Sequence, residues 1–351
     1  MKNTNLRKAR IAKNDEFYTR YEDIENECQH YVKHFKDQWI YLPCDSEQSN
    51  FWKYFVVHFK EYGLKHLTAT HIHLDGTSSY RLDYDGSETL KTPLEGNGDF
   101  RSEECTKIKD ECDIVITNPP FSLFKKFVQW LDGGEKKFLI IGNGNAVTYN
   151  EIFPLIKDNK IWLGVFYGSM EFRINADKFD ESKCSKYRVE DGEYYINLNM
   201  ITWLTNLEHG NRHKPLVLTK KYTPDEYPKY DNYDAINVNK VKDIPMDYDG
   251  VMGVPVTFLD KYCPEQFKII GCPDANVVPQ GWKGMSKEFV DLYYAQGGTG
   301  QYQEGKRLAH YIKDGKAIIP YRRILIKYDR PYLDGKRMYF RLFIKPTENE
   351  Q

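Results

Sequence analysis

Asp113-Ile114-Val115-Ile116-Thr117-Asn118-Pro119-Pro120-Phe121 is the stretch that decides how the rest of the chain is interpreted. Its run of β-branched apolar residues predicts a short buried strand, and the two prolines end that strand because proline donates no ladder hydrogen bond. Ligands of open α/β sheets bind at the carboxyl ends of strands, which is where Asn118 falls. The Asn118 side-chain oxygen and the Pro119 carbonyl can accept hydrogen bonds from one amino group, and Phe121 offers a face to a ring. The stretch predicts a site for a planar amine, against the alternative of a plain strand-ending turn.

Strand-like and helix-like patterns alternate on both sides of this stretch. Strands are predicted at 39–42, 67–72, 114–116 and 137–141, and helices at 22–35, 51–62, from 103, at 123–131 and at 150–157. Segments 160–165 and 194–204 have no long helix pattern between them and predict strands that complete the sheet. A hydrophilic, glycine-containing segment at 75–98 predicts an inserted hairpin. This alternation is typical of a doubly wound, mostly parallel α/β sheet.

The chain is long enough for two domains, and its pattern changes near residue 211. Eight prolines between 215 and 279 break the later sequence into short pieces without βα alternation. We therefore expect a mobile basic arm at 1–14, a domain at 15–210 and an α+β domain at 211–351.

Charge is distributed unevenly, although the formal net charge is only −1. Residues 2–13 carry five basic side chains and no acidic one, and residues 306–345 carry twelve basic side chains against three aspartates. Such a run is often only a solvated surface, but basic strands that alternate with apolar residues also suit phosphate contacts. The candidates for such phosphate contacts are Arg322, Arg323, Lys327, Arg337 and Arg341, with a flexible loop expected at 296–305.

Several other classes of site are disfavoured by the sequence. The seven cysteines are scattered without a Cys-x-x-Cys spacing, which indicates neither a disulfide framework nor a zinc ribbon. Two histidine pairs at i, i+4 spacing lack a third ligand, so no metal is expected. Gly142-x-Gly144 lacks the rest of a dinucleotide fingerprint and predicts a turn. With no signal-like segment and no apolar run of about 18 residues, a cytoplasmic protein without membrane contact is expected.

Three turns are expected to line one cleft, because each follows or closely precedes a predicted strand. They are Pro43-Cys44-Asp45, Asp99-Phe100 and the turn at Asn118. The two aspartates can accept hydrogen bonds from an ammonium, ribose or adenine amino group, and Phe100 can pack on an adenine ring. Each aspartate alone is equally consistent with a turn or a helix cap.

The motifs at 15–19, 41–45, 49–51, 53–55 and 113–121 together resemble the EcoRI-type adenine-specific DNA methyltransferase family. The similarity spans most of residues 13–205, with weaker likeness at 260–262 and 269–271. The resemblance implies a class I, Rossmann-like, S-adenosylmethionine-dependent methyltransferase domain with a C-terminal target-recognition domain. It also implies catalytic residues Asn118, Pro119, Pro120 and Phe121, and cofactor-binding residues Phe17, Tyr18, Thr19, Pro43, Cys44, Asp45, Asn50, Asp99 and Phe100. The first turn reads Cys44-Asp45-Ser46 where the superfamily commonly has glycines, and the ligand of the cofactor ribose is unassigned, with Asp75 a weak candidate.

The resulting hypothesis is N6-methylation of a flipped-out adenine in double-stranded DNA. Two contexts are open: restriction-modification, with a cognate restriction endonuclease that acts separately as the partner, or protection of phage DNA. The same chemistry fits cytosine N4-methylation. The family resemblance favours adenine over cytosine, because the shape of the base pocket cannot be read from the sequence. Less favoured by the sequence are an RNA or protein-glutamine methyltransferase with the same tetrapeptide, a nuclease, and a catalytically silent DNA-binding protein.

Overall fold

The computed structural model describes residues 17–72, 79–174, 187–278, 295, 307–326, 330–334 and 336–347, except for the side chains of 307–313 and 317–326. The chain divides into two compact units. Unit 1 comprises residues 1–147 and 160–210, and unit 2 comprises 148–159 and 211–351. The basic arm expected at 1–14, Asp75 and the loop expected at 296–305 lie outside the described residues.

Unit 1 contains one large mixed sheet. Its strands are β1 Tyr18–Thr19, β2 Trp39–Pro43, β3 His66–His71, β4 Tyr80–Tyr84, β5 Thr89–Pro93, β6 Ile114–Thr117, β7 Lys137–Asn143, β8 Trp162–Ile174, β9 Arg188–Glu190 and β10 Glu193–Thr205. They follow the order β1-β8-β10-β7-β6-β2-β3-β4-β5, and β9 pairs with β10. The described fold is therefore mixed α/β.

In the described sheet of unit 1, the parallel pairs are those among the four central strands, β3, β2, β6 and β7. The expected hairpin is the antiparallel pair of β4 and β5, and it extends the sheet beyond β3. On the other side, β8 and β10 are antiparallel. Strand β8 is much longer than the strand predicted at 160–165, whereas β10 matches the prediction at 194–204 to within one residue at each end.

The helices of unit 1 are α1 Tyr21–Cys28, α2 Asn50–Val57, α3 Phe59–Tyr62, α4 Glu103–Glu111 and α5 Phe124–Trp130. The helix predicted at 22–35 is α1 continued by a 3₁₀ segment, Gln29–His34. The one predicted at 51–62 is interrupted at His58. Helix α2 begins where the Ser49 hydroxyl accepts a hydrogen bond from the Trp52 amide, and α3 ends at Gly63 in the left-handed conformation.

The order of the central strands creates a topological switch point between β2 and β6. The chain leaves β2 toward β3 on one side and later returns to form β6 on the other side. Connections therefore diverge at the carboxyl ends of these two strands, which is where α/β sheets bind ligands. The residues that follow the two strand ends are Cys44-Asp45 and Asn118.

A buried carboxylate joins α1 to the irregular part of the sheet. Glu27 is 1% exposed, and it accepts hydrogen bonds from the amides of Val165 and Phe166, at 2.7 and 2.9 Å, and from the Tyr31 hydroxyl at 2.9 Å. The two amides lie where the register of β8 against β10 shifts, so the carboxylate takes the place of missing ladder acceptors. Burial raises the pKa of Glu27 to about 7, although the three hydrogen bonds act in the opposite direction and lower it.

Gly164 leaves room for this carboxylate, which leads to a prediction about stability. A Cβ at position 164 would overlap Glu27 Oε1 and lie 2.7 Å from Trp203 Cβ. We expect Gly164→Ala to lower the free energy of unfolding by about 2–3 kcal/mol, measured by urea denaturation. Gly168→Ala in the same strand is the control, because its Cβ would make only ordinary contacts. Equal unfolding midpoints for the two variants would contradict the account.

Unit 2 is built mainly from short strands. They are β11 Ile236–Asn237, β12 Met252–Pro255, β13 Phe267–Gly271, β14 Arg307–Lys313, β15 Lys316–Ile326, β16 Tyr332–Leu333, β17 Lys336–Arg337 and β18 Arg341–Pro346. A four-stranded sheet has the order β11-β12-β18-β13, and β14-β15 and β16-β17 form separate pairs. Helix α6 is Phe153–Lys157, shorter than the helix predicted at 150–157. No helix in the described parts of either unit is long and apolar enough to cross a membrane.

Candidate active site

The ends of β2 and β6 are joined by side-chain hydrogen bonds. Thr117 Oγ1 lies 2.8 Å from both the Pro43 carbonyl oxygen and Asp45 Oδ2, and these two acceptors share its single proton. The Asp45 carboxyl group is 8% exposed. Burial raises its pKa to about 7, although hydrogen bonds from Thr117 and Ser49 act in the opposite direction. A buried acid with few donors around it favours a cationic partner.

Cys44 adopts a conformation that usually belongs to glycine. Its φ is 67°, in the left-handed region, which costs a non-glycine residue about 1–2 kcal/mol. The strand therefore ends in a glycine-like turn even though the glycines common at this position in the superfamily are absent. Backbone strain of this kind concentrates at functional sites.

Asn118 is held by strand β1 and the residue directly before it, about 100 residues earlier in the chain. Its Nδ2 donates to the Phe17 carbonyl at 2.8 Å and to Thr19 Oγ1 at 3.3 Å. Strand β1 is itself fixed by pairing with β8 and by Asn50, whose Nδ2 donates to the Thr19 carbonyl at 2.8 Å. The structure thus brings Asn118, nominated by the sequence for catalysis, together with Phe17, Thr19 and Asn50, which were nominated for the cofactor.

Phe121 is part of an aromatic cluster with Phe17 and Phe172. Its ring centroid lies 5.5 Å from that of Phe17 and 6.3 Å from that of Phe172. Phe17 and Phe121 are each 8% exposed. Pro119 is buried and Pro120 half-buried, so the turn is anchored on both sides. A base could stack on Phe121 only at the part of its ring that these neighbours leave open.

Asp99 and Phe100 are less accessible to a cofactor than the sequence predicted. Asp99 accepts hydrogen bonds from the backbone and guanidinium of Arg101, and this interaction lowers the Asp99 pKa. Phe100 is 1% exposed and packs against Phe127 and Trp130, with centroids 4.9 and 5.4 Å away. Phe100 therefore belongs to the core and presents almost no ring area to an adenine, while Asp99 is half-buried. Tyr18 has the Arg173 guanidinium over its ring, 4.8 Å from the centroid.

The basic residues nominated for DNA contact have different environments. Arg337 is exposed on β17. The backbone of Arg322 and Arg323 lies in β15, their side chains are not described, and Lys327 lies outside the described residues. Arg341 is 7% exposed, and its guanidinium donates to the Asn237 side chain and the Phe340 carbonyl. The expectation of a surface Arg341 is corrected by the sheet order, since β18 lies between two neighbouring strands.

One polar residue at the same sheet edge was not singled out from the sequence. Asn143 ends β7, the parallel neighbour of β6, where the sequence analysis predicted only a turn. Its Oδ1 accepts from the Asn145 amide at 2.9 Å, whereas its buried Nδ2 has no hydrogen-bond partner among the described residues. The usable signal was its position, a polar residue directly after an apolar parallel strand. The described residues contain no cluster of three or more potential metal ligands.

Comparisons with known proteins agree on one family. The family described as adenine-specific methyltransferase EcoRI matches residues 5–345. The type II methyltransferase M.EcoRI of Escherichia coli is 48% identical over 286 residues, covering 76% of this chain and 88% of that protein. The type II methyltransferases M.MpnI of Mycoplasma pneumoniae and M.MgeORF184P of Mycoplasma genitalium are 43% and 40% identical, covering 76% of this chain and 84% and 85% of their own lengths. No solved structure matches significantly.

Proposed function

Because the chain belongs to the EcoRI family of adenine-specific DNA methyltransferases, we propose that unit 1 binds S-adenosylmethionine and carries the methyl transfer, in a class I, Rossmann-like arrangement. The observation that carries this assignment is the pair of strand ends at the switch point. Asp45 follows β2, Asn118 follows β6, and Thr117 joins the two by a hydrogen bond.

The chemistry of the donor set suits this cofactor. S-adenosylmethionine carries a sulfonium and an ammonium group, and when bound it supplies an electrophilic methyl group. Asp45 is a buried carboxyl group whose raised pKa falls again when a cation lies beside it. Asp99 can accept a hydrogen bond from an adenine amino group where its carboxylate is not taken by Arg101. We assign Phe17, Tyr18, Pro43, Cys44 and Asn50 to the surrounding wall, and Phe100 supports Asp99 from the core.

The target amine is activated by acceptors on the turn after β6. The lone pair of an exocyclic amine is delocalised into its ring, so the amine is a poor nucleophile while it stays planar. The Asn118 side-chain oxygen and the Pro119 carbonyl accept its two N–H groups and direct the lone pair toward the methyl group, without a covalent enzyme intermediate. The methylated nitrogen then loses its proton. An in-stack base cannot reach these acceptors, so the adenine is flipped out and contacts the open edge of Phe121.

Target recognition is assigned to unit 2 through the basic residues Arg322, Arg323, Lys327 and Arg337. The three relatives are each named a type II methyltransferase. For this chain we propose a cognate restriction endonuclease that acts separately on the same DNA sequence. Double-stranded DNA is then the substrate, and the cytoplasm is the compartment where the enzyme meets it.

Phosphate contacts predict a strong dependence of binding on salt. We expect the logarithm of the DNA association constant to fall linearly with the logarithm of salt concentration, measured by fluorescence anisotropy. Arg337→Ala is expected to reduce that slope by about one unit, because one phosphate contact is lost. Arg337→Lys retains the charge and should keep the wild-type slope. An affinity that does not change with salt would contradict the assignment.

The direct test is transfer of label to DNA. The protein is incubated with tritiated S-adenosylmethionine and mixed plasmid DNA, which is then sequenced by a method that reports modified bases. The expected product is N6-methyladenine within one short sequence. Absence of label in DNA would overturn the proposed activity, and N4-methylcytosine would overturn the assignment of the target base.

A further inference from the structure

The orientation of the Asn118 carboxamide is determined by chemistry at strand β1. The Phe17 carbonyl oxygen carries no proton, so only the amino end of the carboxamide can face it at 2.8 Å. A rotation of the carboxamide by half a turn would set two acceptor oxygens against each other. The side-chain oxygen of Asn118 is therefore directed away from the Phe17 carbonyl. Among the described residues none donates a hydrogen bond to it, so it can accept one from a substrate amine.

Thr19 takes the second proton of the same amino group. Its hydroxyl oxygen lies 3.3 Å from Asn118 Nδ2, and the Thr19 residue is 5% exposed. With both amide protons donated, the carboxamide is held at two points and cannot rotate freely. Hydrogen bonds donated by an amide also polarise it and make its oxygen a stronger acceptor.

The two acceptors, the Phe17 carbonyl directly before β1 and the Thr19 hydroxyl in β1, have fixed positions of their own. Tyr18 and Thr19 pair with Arg173 and Phe172 of β8, and Asn50 at the start of α2 binds the Thr19 carbonyl. The Phe17 ring packs on Phe121 of the same catalytic turn. Strand β1 therefore contacts both ends of the Asn-Pro-Pro-Phe segment, its amide and its aromatic ring.

We propose that β1 is the element that orients the catalytic amide, and that Thr19 is a positioning residue for Asn118. This inference rests on the proposed function and changes the role that the family resemblance implied for Thr19, which was cofactor binding. Its hydroxyl acts on the transfer step through Asn118, so its loss slows transfer while cofactor and DNA are still bound.

The test compares Thr19→Val with Thr19→Ser in the full-length protein. Valine keeps the shape of threonine but removes the acceptor, and serine keeps the acceptor. With saturating S-adenosylmethionine and DNA, we expect the single-turnover methylation rate of Thr19→Val to fall by about tenfold or more, and that of Thr19→Ser to stay within about twofold of wild type. The dissociation constant for S-adenosylmethionine and the fluorescence of 2-aminopurine at the target position, which reports base flipping, should change little in either variant.

The outcomes separate this inference from the proposed function. A wild-type protein that labels no DNA would remove the proposed function itself. If wild type is active, a Thr19→Val variant with an unchanged single-turnover rate would overturn the positioning role. A variant whose only defect is weaker cofactor binding, corrected at saturating cofactor, would return Thr19 to the cofactor site. Equal losses in the valine and serine variants would also overturn the proposal, because the hydroxyl would then not matter.

Discussion

Asn118→Ala is expected to reduce methyl transfer by about 10³-fold or more while the affinity for S-adenosylmethionine stays near that of wild type. The truncation removes the acceptor proposed to activate the target amine, but it leaves Asp45 and the end of β2 in place. The measurements are single-turnover transfer of tritiated methyl groups and equilibrium cofactor titration.

Gln129→Ala is the matched control for Asn118→Ala. It also removes a carboxamide, from an exposed position on α5 shortly after the catalytic turn. Its transfer rate is expected to equal that of wild type. Near-wild-type methylation by Asn118→Ala would refute the role of Asn118.

Asp45→Asn is expected to weaken cofactor binding and to stabilise the protein at the same time. Loss of a charged hydrogen-bond partner for the cofactor cation should lower affinity by roughly 10- to 100-fold. The pKa of Asp45 is about 7 in the folded protein, raised from 3.8 mainly by burial. Above that pKa the ionised carboxylate is buried, which opposes folding, and the neutral amide removes this penalty.

The raised pKa of Asp45 determines how both the stability of the protein and its affinity for the cofactor change with pH. Between about pH 4 and 7 the unfolded chain has lost the Asp45 proton while the folded protein retains it, so the contribution of Asp45 to stability falls as pH rises through this window. Thermal unfolding should therefore show Asp45→Asn more stable than wild type at pH 8, with the difference shrinking toward pH 4. Cofactor affinity of wild type should rise with pH through about 7, whereas that of Asp45→Asn should stay flat.

Asp249→Asn is the control for Asp45→Asn, because it neutralises an exposed carboxylate in unit 2. It should alter neither cofactor affinity nor the pH dependence of unfolding. A wild-type cofactor affinity that does not vary between pH 6 and 8.5 would contradict the role given to Asp45.

Local patterns in the sequence were sufficient for the central strands and for the catalytic turn. Apolar runs that end in proline or in polar residues predict β2, β6 and β7 to within about two residues at each end, because a buried parallel strand needs only its own side chains to be recognised. The length of the antiparallel strand β8 was underestimated. Residues 166–174, the part of β8 that the prediction missed, are mostly half-buried, so this part is defined by its pairing with β10 and not by a local apolar run.

Burial was the property that the sequence predicted least well. Phe100 was expected in an open cleft and lies in the core, where Phe127 and Trp130 cover it. Arg341 was expected on a DNA-binding surface and lies on a strand that has neighbours on both sides. In both cases the exposure of the side chain depends on elements elsewhere in the sequence. The spacing of apolar residues within one segment does not show which other elements will cover it.

The sequence by itself determined where the catalytic asparagine lies, since a β-branched strand stopped by two prolines leaves Asn118 at the edge of the sheet. It also determined the family, through motifs that span most of unit 1. Only the tertiary structure decided which way the Asn118 amide points and how strongly Asp45 is buried. The physical reason is distance along the chain: Phe17 is 101 residues from Asn118, and Thr117 is 72 residues from Asp45. These contacts exist only once the sheet has brought β1, β2 and β6 to one edge.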